Sequence, residues 1–336
     1  MPNKGLFTQG IVILLGAVTS ISKIEESLIN EFNIVKKTEQ SESWEFGGPS
    51  LIISFRPEVN GYISVDVVDR PWPDGMGDPK LDSMVFGAWS LGHFGPFAYP
   101  GNLQRASQQC WKYPHGKSDA ELHKAFIRIR VSYIFGHVDK NTLCIPAGYD
   151  AMAEMLFISK LARKLLDIPE ALCYFNPNGE ILASAQEITE LLERHSETGL
   201  PPLELWSNIR MFTLPDNDEW ALMDSVGMQQ LDSVDQEALF EEISYDANEV
   251  ANFLRNVSDY LLENGPVIKA GDTIDGPGNI RWQGITLEDG ISSPPRAVIR
   301  WFPMDNRTRP SGYQGEGKRE SENAKKQGFF SRLFNK

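Results

Sequence analysis

The sequence predicts an α+β protein: two mixed subdomains of antiparallel sheet with packed helices, followed by a disordered C-terminal tail. Three observations carry this expectation. Residues 246–263 read as one amphipathic helix with both ends specified. Runs such as 125–134 alternate apolar with polar residues. After Pro303 the chain turns polar and rich in Gly and Ser.

In chain order, residues 11–15 form a buried strand. Ser22 with Glu25 is placed to cap a helix whose Ile24, Leu28 and Phe32 face inward. Residues 43–46, 50–56 and 62–68 make a meander, broken at Gly47-Gly48 and at Asn60-Gly61, whose residues accept positive φ. Residues 69–123 are a long irregular segment dense in Gly, Pro and aromatics. That many rings argue against disorder, and a loop of this length points to function. In the strand 125–134, Ile127, Ile129 and Val131 alternate with Arg128, Arg130 and Ser132. The first subdomain is placed at 1–145.

The second subdomain, 146–304, opens with a helix started by Asp150, then a strand at 171–175 and an Asn176-Pro-Asn-Gly179 turn. Ser184 and Glu187 cap a second helix. A meander follows at 205–214, 219–226 and 237–243. Asp246 and Glu249 form a capping box for the helix whose Val250, Phe253, Leu254, Val257, Tyr260 and Leu261 share one face. Asn264-Gly265-Pro266 ends it, and Val267-Ile268 read as a short strand. Residues 297–302 close the sheet. The tail, 305–336, ends in FFSRLFNK, where Phe329, Phe330 and Phe334 would share a helical face for a partner groove or an anionic surface.

With 336 residues and a net charge of −14, the chain is acidic. Residues 151–262 hold 21 acidic and 6 basic side chains, net −15, whereas the tail holds 4 and 8, net +4. Such a body disfavours nucleic acid and favours a basic protein partner, the alternative being simple solubility. Three widely spaced cysteines without C-x-x-C, no spanning apolar run and no cleavable leader place the chain in the cytoplasm by default.

No histidine spacing suits a metal, no glycine-rich stretch matches a phosphate loop, and Ser90 lies outside a G-x-S-x-G elbow, so no metal, cofactor or catalytic residue is expected. His93, Arg105, Arg128 and Arg130 could line an anion-accepting cleft, the two strand arginines gripping a carboxylate or phosphate between them. Their other reading is pairing with the protein's own acids. Trp206 and Trp220, beside Asp216, Asp218 and Glu219, are candidates for a partner-binding face, with core packing as the alternative for the two rings.

The motifs DRPWPDGMGDP, GPFAYPGNLQRA, YFNPNGE, DSVGMQQLDSVDQEA and YLLENGPVIKAGDTIDG together resemble bacterial proteins of domain-of-unknown-function family 4261. The resemblance runs from Asp69 onward, with its core at about Leu205–Pro303. It supplies no reaction and no catalytic residue. It implies a cytoplasmic bacterial protein from secretion-system and polymorphic-toxin loci, where acidic proteins of this kind are often immunity proteins. The leading expectation is therefore a non-catalytic immunity-type protein that occludes the active site of a basic toxin. The rivals are an enzyme acting on a small anionic ligand at residues 69–130, and a secretion-system adaptor using the FFSRLF peptide.

Overall fold

The computed structural model describes residues 4–39, 46–135, 144–214 and 217–305, together with 307, 310 and 313. Most of the strand expected at 43–46, and the tail from 314 with its phenylalanines, lie outside the described residues. The protein is α+β. Its first sheet has the order β2-β3-β4-β5-β1-β6-β7 and is antiparallel throughout: β1 Gln9–Leu15, β2 Ile34–Thr38, β3 Ser50–Arg56, β4 Gly61–Val68, β5 Ala125–Ser132, β6 Ala171–Asn176 and β7 Ile181–Ala183. The second has the order β11-β12-β13-β10-β9-β8: β8 Asn208–Leu214, β9 Asn217–Val226, β10 Asp235–Glu241, β11 Thr273–Gly276, β12 Ile280–Leu287 and β13 Val298–Pro303. It is mixed, because β13 runs parallel to β10. The change of sheet falls between 183 and 208, past the boundary expected at 145, because β6 pairs with the N-terminal β1.

Both faces of the first sheet are covered. Ile11, Ile13, Val65, Ile127 and Ile129 point to one face, packed by α1 (Ile21–Leu28), α5 (Ala151–Leu165) and α6 (Ala185–Thr198). Val12, Leu14, Phe126 and Phe175 point to the other, covered by residues 69–123. That segment holds three short helices, α2 (Ser83–Ser90), α3 (Asn102–Gln108) and α4 (Gly116–Leu122). Trp72 anchors it, with ring centroids 6.0 Å from Trp89, 5.2 Å from Phe94, 5.3 Å from Phe126 and 5.3 Å from Phe175. This explains why β5 is buried along its whole length despite an alternating sequence.

On the second sheet, α7 (Ala247–Asn264) buries Val250, Phe253, Leu254, Val257 and Leu261 against Trp282, Trp301 and Ile299, while Tyr260, expected in the same stripe, sits at its edge and is exposed. The capping differs in two places from the sequence expectation. Ser20, not Ser22, caps α1 by accepting from the Lys23 N–H, which leaves Ser22 inside the helix. Asp246 caps α7 alone, accepting from Asn248 and Glu249 N–H, and Val267-Ile268 is not a strand. Ser184 and Glu187 form the reciprocal box on α6.

Glu154 of α5 is wholly buried, accepting from Thr8 Oγ1 at 3.0 Å and Tyr133 Oη at 2.6 Å. Burial pushes its pKa up to about 7, against the Tyr133 bond and the charge of Lys4. A carboxyl whose folded pKa exceeds its unfolded value loses stability as pH rises through that interval. The effect of Glu154→Gln on unfolding free energy should therefore shift toward stabilisation between pH 5 and pH 8, by up to about 3 kcal/mol. Urea denaturation at both pH values measures the shift; equal effects would show that Glu154 titrates normally.

Candidate functional site

The structure brings His93, Arg128 and Arg130 together but closes them. All three stand beside Asp66 of β4, which the register sets opposite Arg128. Arg128 donates to Asp66 Oδ2 at 2.6 Å and Arg130 to Asp66 Oδ1 at 3.0 Å, while Arg130 lies 3.1 Å from His93 Nδ1. Burial acts to raise the Asp66 pKa, but the two guanidiniums outweigh it and hold the carboxyl below its usual range. Burial and the same two charges pull His93 down to about 4, so its ring is neutral. The grip foreseen for an external anion is filled by the protein's own aspartate.

Arg105 lies elsewhere. Its Nε donates to Glu180 Oε1 at 2.7 Å, and Glu180 Oε2 accepts from Arg210 at 2.9 Å. Arg210 forks onto Asp224 at 3.0 and 2.7 Å, Asp224 accepts from Arg296 at 2.6 Å, and Arg296 reaches Asp235 at 3.4 Å. Three arginines and three carboxylates thus form one chain of charge joining α3, the β6–β7 turn, β8, β9, β10 and the 288–297 loop. Every member except Arg105 is buried. Beside it, Arg300 donates to Glu237 at 2.9 Å. Sequence reasoning missed this network. Its signal was charge inside otherwise apolar strand runs, WALMDSV and DQEALF.

Four of the five sequence motifs meet at the β6–β7 turn. Asn176 Oδ1 accepts from the N–H of Asn178 and Gly179, which closes the turn. Asn178 Oδ1 accepts from Phe97 N–H, and Asn102 donates to the Pro177 carbonyl while accepting from Trp72 Nε1. Asp74 accepts from the N–H of Leu103 and Gln104. Gln230 accepts from Asn176 and donates to the Trp206 carbonyl. A Cβ at Gly179 would lie 2.1 Å from that carbonyl oxygen, so only glycine allows the approach.

Trp206 is wholly buried, its Nε1 donating to Ser159 Oγ at 2.9 Å, and Trp220 is 5% exposed. Both rings are core residues. Asp218 and Glu219 are exposed on β9; Asp216 lies outside the described residues.

Between the two sheets runs an open groove of about 860 Å³. Helices α6 and α7 wall it, β7 and β8 floor it, and residues 109–112 border it. Ile181, Ile209, Met211 and Met223 give it an apolar lining. Along α7, Asn248, Asn252, Arg255 and Asp259 follow at helical spacing, one row beside the apolar stripe. Glu204 is held by Arg194 at 2.9 and 2.6 Å. Burial works against its ionisation, but Arg194 and the charge of Arg255 bring its pKa to about 2. Arg255 is half-buried and, among the described residues, makes no hydrogen bond or ion pair. Burial lowers its pKa, with the charges of Glu204 and Asp259 opposing. Lys112 is lowered by burial and then by Arg255. Burial and Glu204 push Asp259 up to about 6.

Among the described residues, no group of His, Cys, Asp and Glu is arranged to hold a metal ion, and no helix is long and apolar enough to cross a membrane. The model of a family described as a domain of unknown function (DUF4261) matches residues 224–302, so the chain resembles that family over this stretch. No curated protein and no solved structure matches the chain. The matched stretch begins at Asp224 and contains Asp235, Glu237, Arg296 and Arg300. Three of the buried ion pairs are therefore internal to it, while Arg210, Glu180 and Arg105 attach it to the rest of the chain.

Proposed function

We propose that the chain is a non-catalytic, cytoplasmic binding protein of the immunity type, covering the active site of a basic toxin or effector domain. The observation that supports this reading is how the carboxylates of residues 151–262 divide. Glu180, Asp224, Asp235 and Glu237 are buried and matched by arginines, three of which (Arg105, Arg296 and Arg300) come from outside that segment. These acids say nothing about a partner. Glu154 is buried as well and Glu204 is held by Arg194, whereas Glu190, Glu193 and Glu197 along α6, Asp218 and Glu219 on β9, and Glu242, Asp246 and Glu249 at the start of α7 stay in solvent. Like charges so placed repel one another and steer a cationic surface toward them. With Trp206 and Trp220 in the core, the apolar anchor is sought among exposed side chains. Ile243, next to Glu242, is 93% exposed.

The test is association kinetics with the partner co-purified from the native host, at two ionic strengths, for the parent and for Asp218→Asn/Glu219→Gln. The on-rate should fall several-fold with salt, and again on neutralisation. A rate indifferent to both would reduce the acidity to a solvated surface. The enzyme alternative at residues 69–130 loses its open arginine pair to Asp66, and the adaptor alternative rests on the tail outside the described residues.

A further inference from the structure

The groove between α6 and α7 is lined by two cations that form no ion pair among the described residues. Lys112 comes from the segment after α3, and Arg255 from the middle of α7; both line the same cavity. Neither forms an ion pair or a hydrogen bond from its charged end among the described residues. Of the acids nearby, Asp259 lies one turn on along α7 and acts on Arg255 through its charge without forming an ion pair, and the others are engaged or exposed. Glu204 is taken bidentately by Arg194, and Glu187 accepts from Ser184 in the α6 cap. Glu190 accepts from Gln186, and Glu242 is exposed. Two like charges brought to one cavity from separate elements, exposed Lys112 at its border and half-buried Arg255 on α7, repel one another, and an anion between them relieves that repulsion. Beyond them the lining is apolar, with Ile209, Met211 and Met223.

We propose that this groove binds an amphipathic organic monoanion, its carboxylate or phosphate head between Lys112 and Arg255 and its apolar body along Ile209, Met211 and Met223. A cavity of about 860 Å³ suits a ligand of that class. Glu190 and Glu242 at the lining repel a polyanion, which excludes a nucleic acid strand.

The probe is 8-anilinonaphthalene-1-sulfonate, an amphipathic monoanion, titrated by fluorescence into the full chain. N-phenyl-1-naphthylamine, which lacks the sulfonate, is the neutral control. Saturable sulfonate binding should weaken about tenfold or more in Arg255→Gln and in Lys112→Gln, and be partly restored in Arg255→Lys. Asn252→Asp, which keeps both cations and adds a carboxylate to the lining, should weaken it as well. The neutral probe should respond to none of the four. Competition by decanoate against decyl phosphate identifies the preferred head group. Sulfonate binding that ignores all four substitutions, or that is matched by the neutral probe throughout, overturns the proposal, as does the absence of saturable binding.

Discussion

Arg210→Met should destabilise the protein by about 3–5 kcal/mol, the range for removing one partner of a buried ion pair. All five N–H groups of Arg210 have an acceptor: Asp224 twice, Glu180, the Ser293 carbonyl and Ser292 Oγ. The substitution leaves Glu180 to Arg105 and Asp224 to Arg296, each buried with half its compensation gone. Arg210→Lys keeps the charge but offers three donors in no fixed fork, and should recover only part of the loss. The sign with pH follows from Asp224. Burial acts to raise its pKa, but Arg210 and Arg296 hold it below the usual value, so its contribution is present above the unfolded pKa and lost as pH falls. Without Arg210 the carboxyls of Asp224 and Glu180 protonate at higher pH, and the deficit should be smaller at pH 4 than at pH 7. Guanidinium unfolding at both pH values measures this. A midpoint unchanged from the parent at pH 7 would show that the network is not coupled to folding.

Leu254→Asp should be about as damaging, at roughly 4 kcal/mol or more, because it sets an unpaired carboxylate in a closed core. Leu254 is wholly buried, in a stripe where Phe253 lies 5.3 Å from Trp282 and 5.5 Å from Trp301. Leu254→Ala separates the two contributions, since it leaves a cavity but no charge, and should cost about 2–5 kcal/mol. The readout is yield of soluble protein and melting temperature. An aspartate variant melting within about two degrees of the parent would mean that α7 does not bury this face.

How far the fold was legible follows from the range of each interaction. The α6 box needs only Ser184 and Glu187, three residues apart, and the α7 stripe needs only helical periodicity; both read directly, except that Tyr260 at the stripe's edge is exposed. Strand β2, IVKKT, carries no buried residue, β11 reads as a turn, and in β12 Gly284 interrupts the alternation, so no local pattern announced them. The ion network was illegible for a different reason. Glu180 and Arg210 are 30 residues apart, and Asp224 and Arg296 are 72 apart; nothing in a window of ordinary length relates them. Arg128 and Arg130 were correctly placed on one strand face. What sequence could not supply was the strand beside them, and hence Asp66.

Strand β13 is the last strand among the described residues, yet it lies in the middle of its sheet, between β12 and β10. A ribosome-bound chain that has not reached Val298, or one clipped in the 288–297 loop, therefore lacks the strip that joins two separate pieces. Strands β8, β9 and β10 would stand as one fragment and β11 with β12 as another, each presenting a bare row of peptide groups. Arg300 would be missing as well, leaving Glu237 without its cation. Such an intermediate invites a strand from a second molecule, so truncation upstream of β13 converts the sheet's central seam into a site of aggregation. Strand β13 thus works as the fastener that joins the two fragments into one sheet.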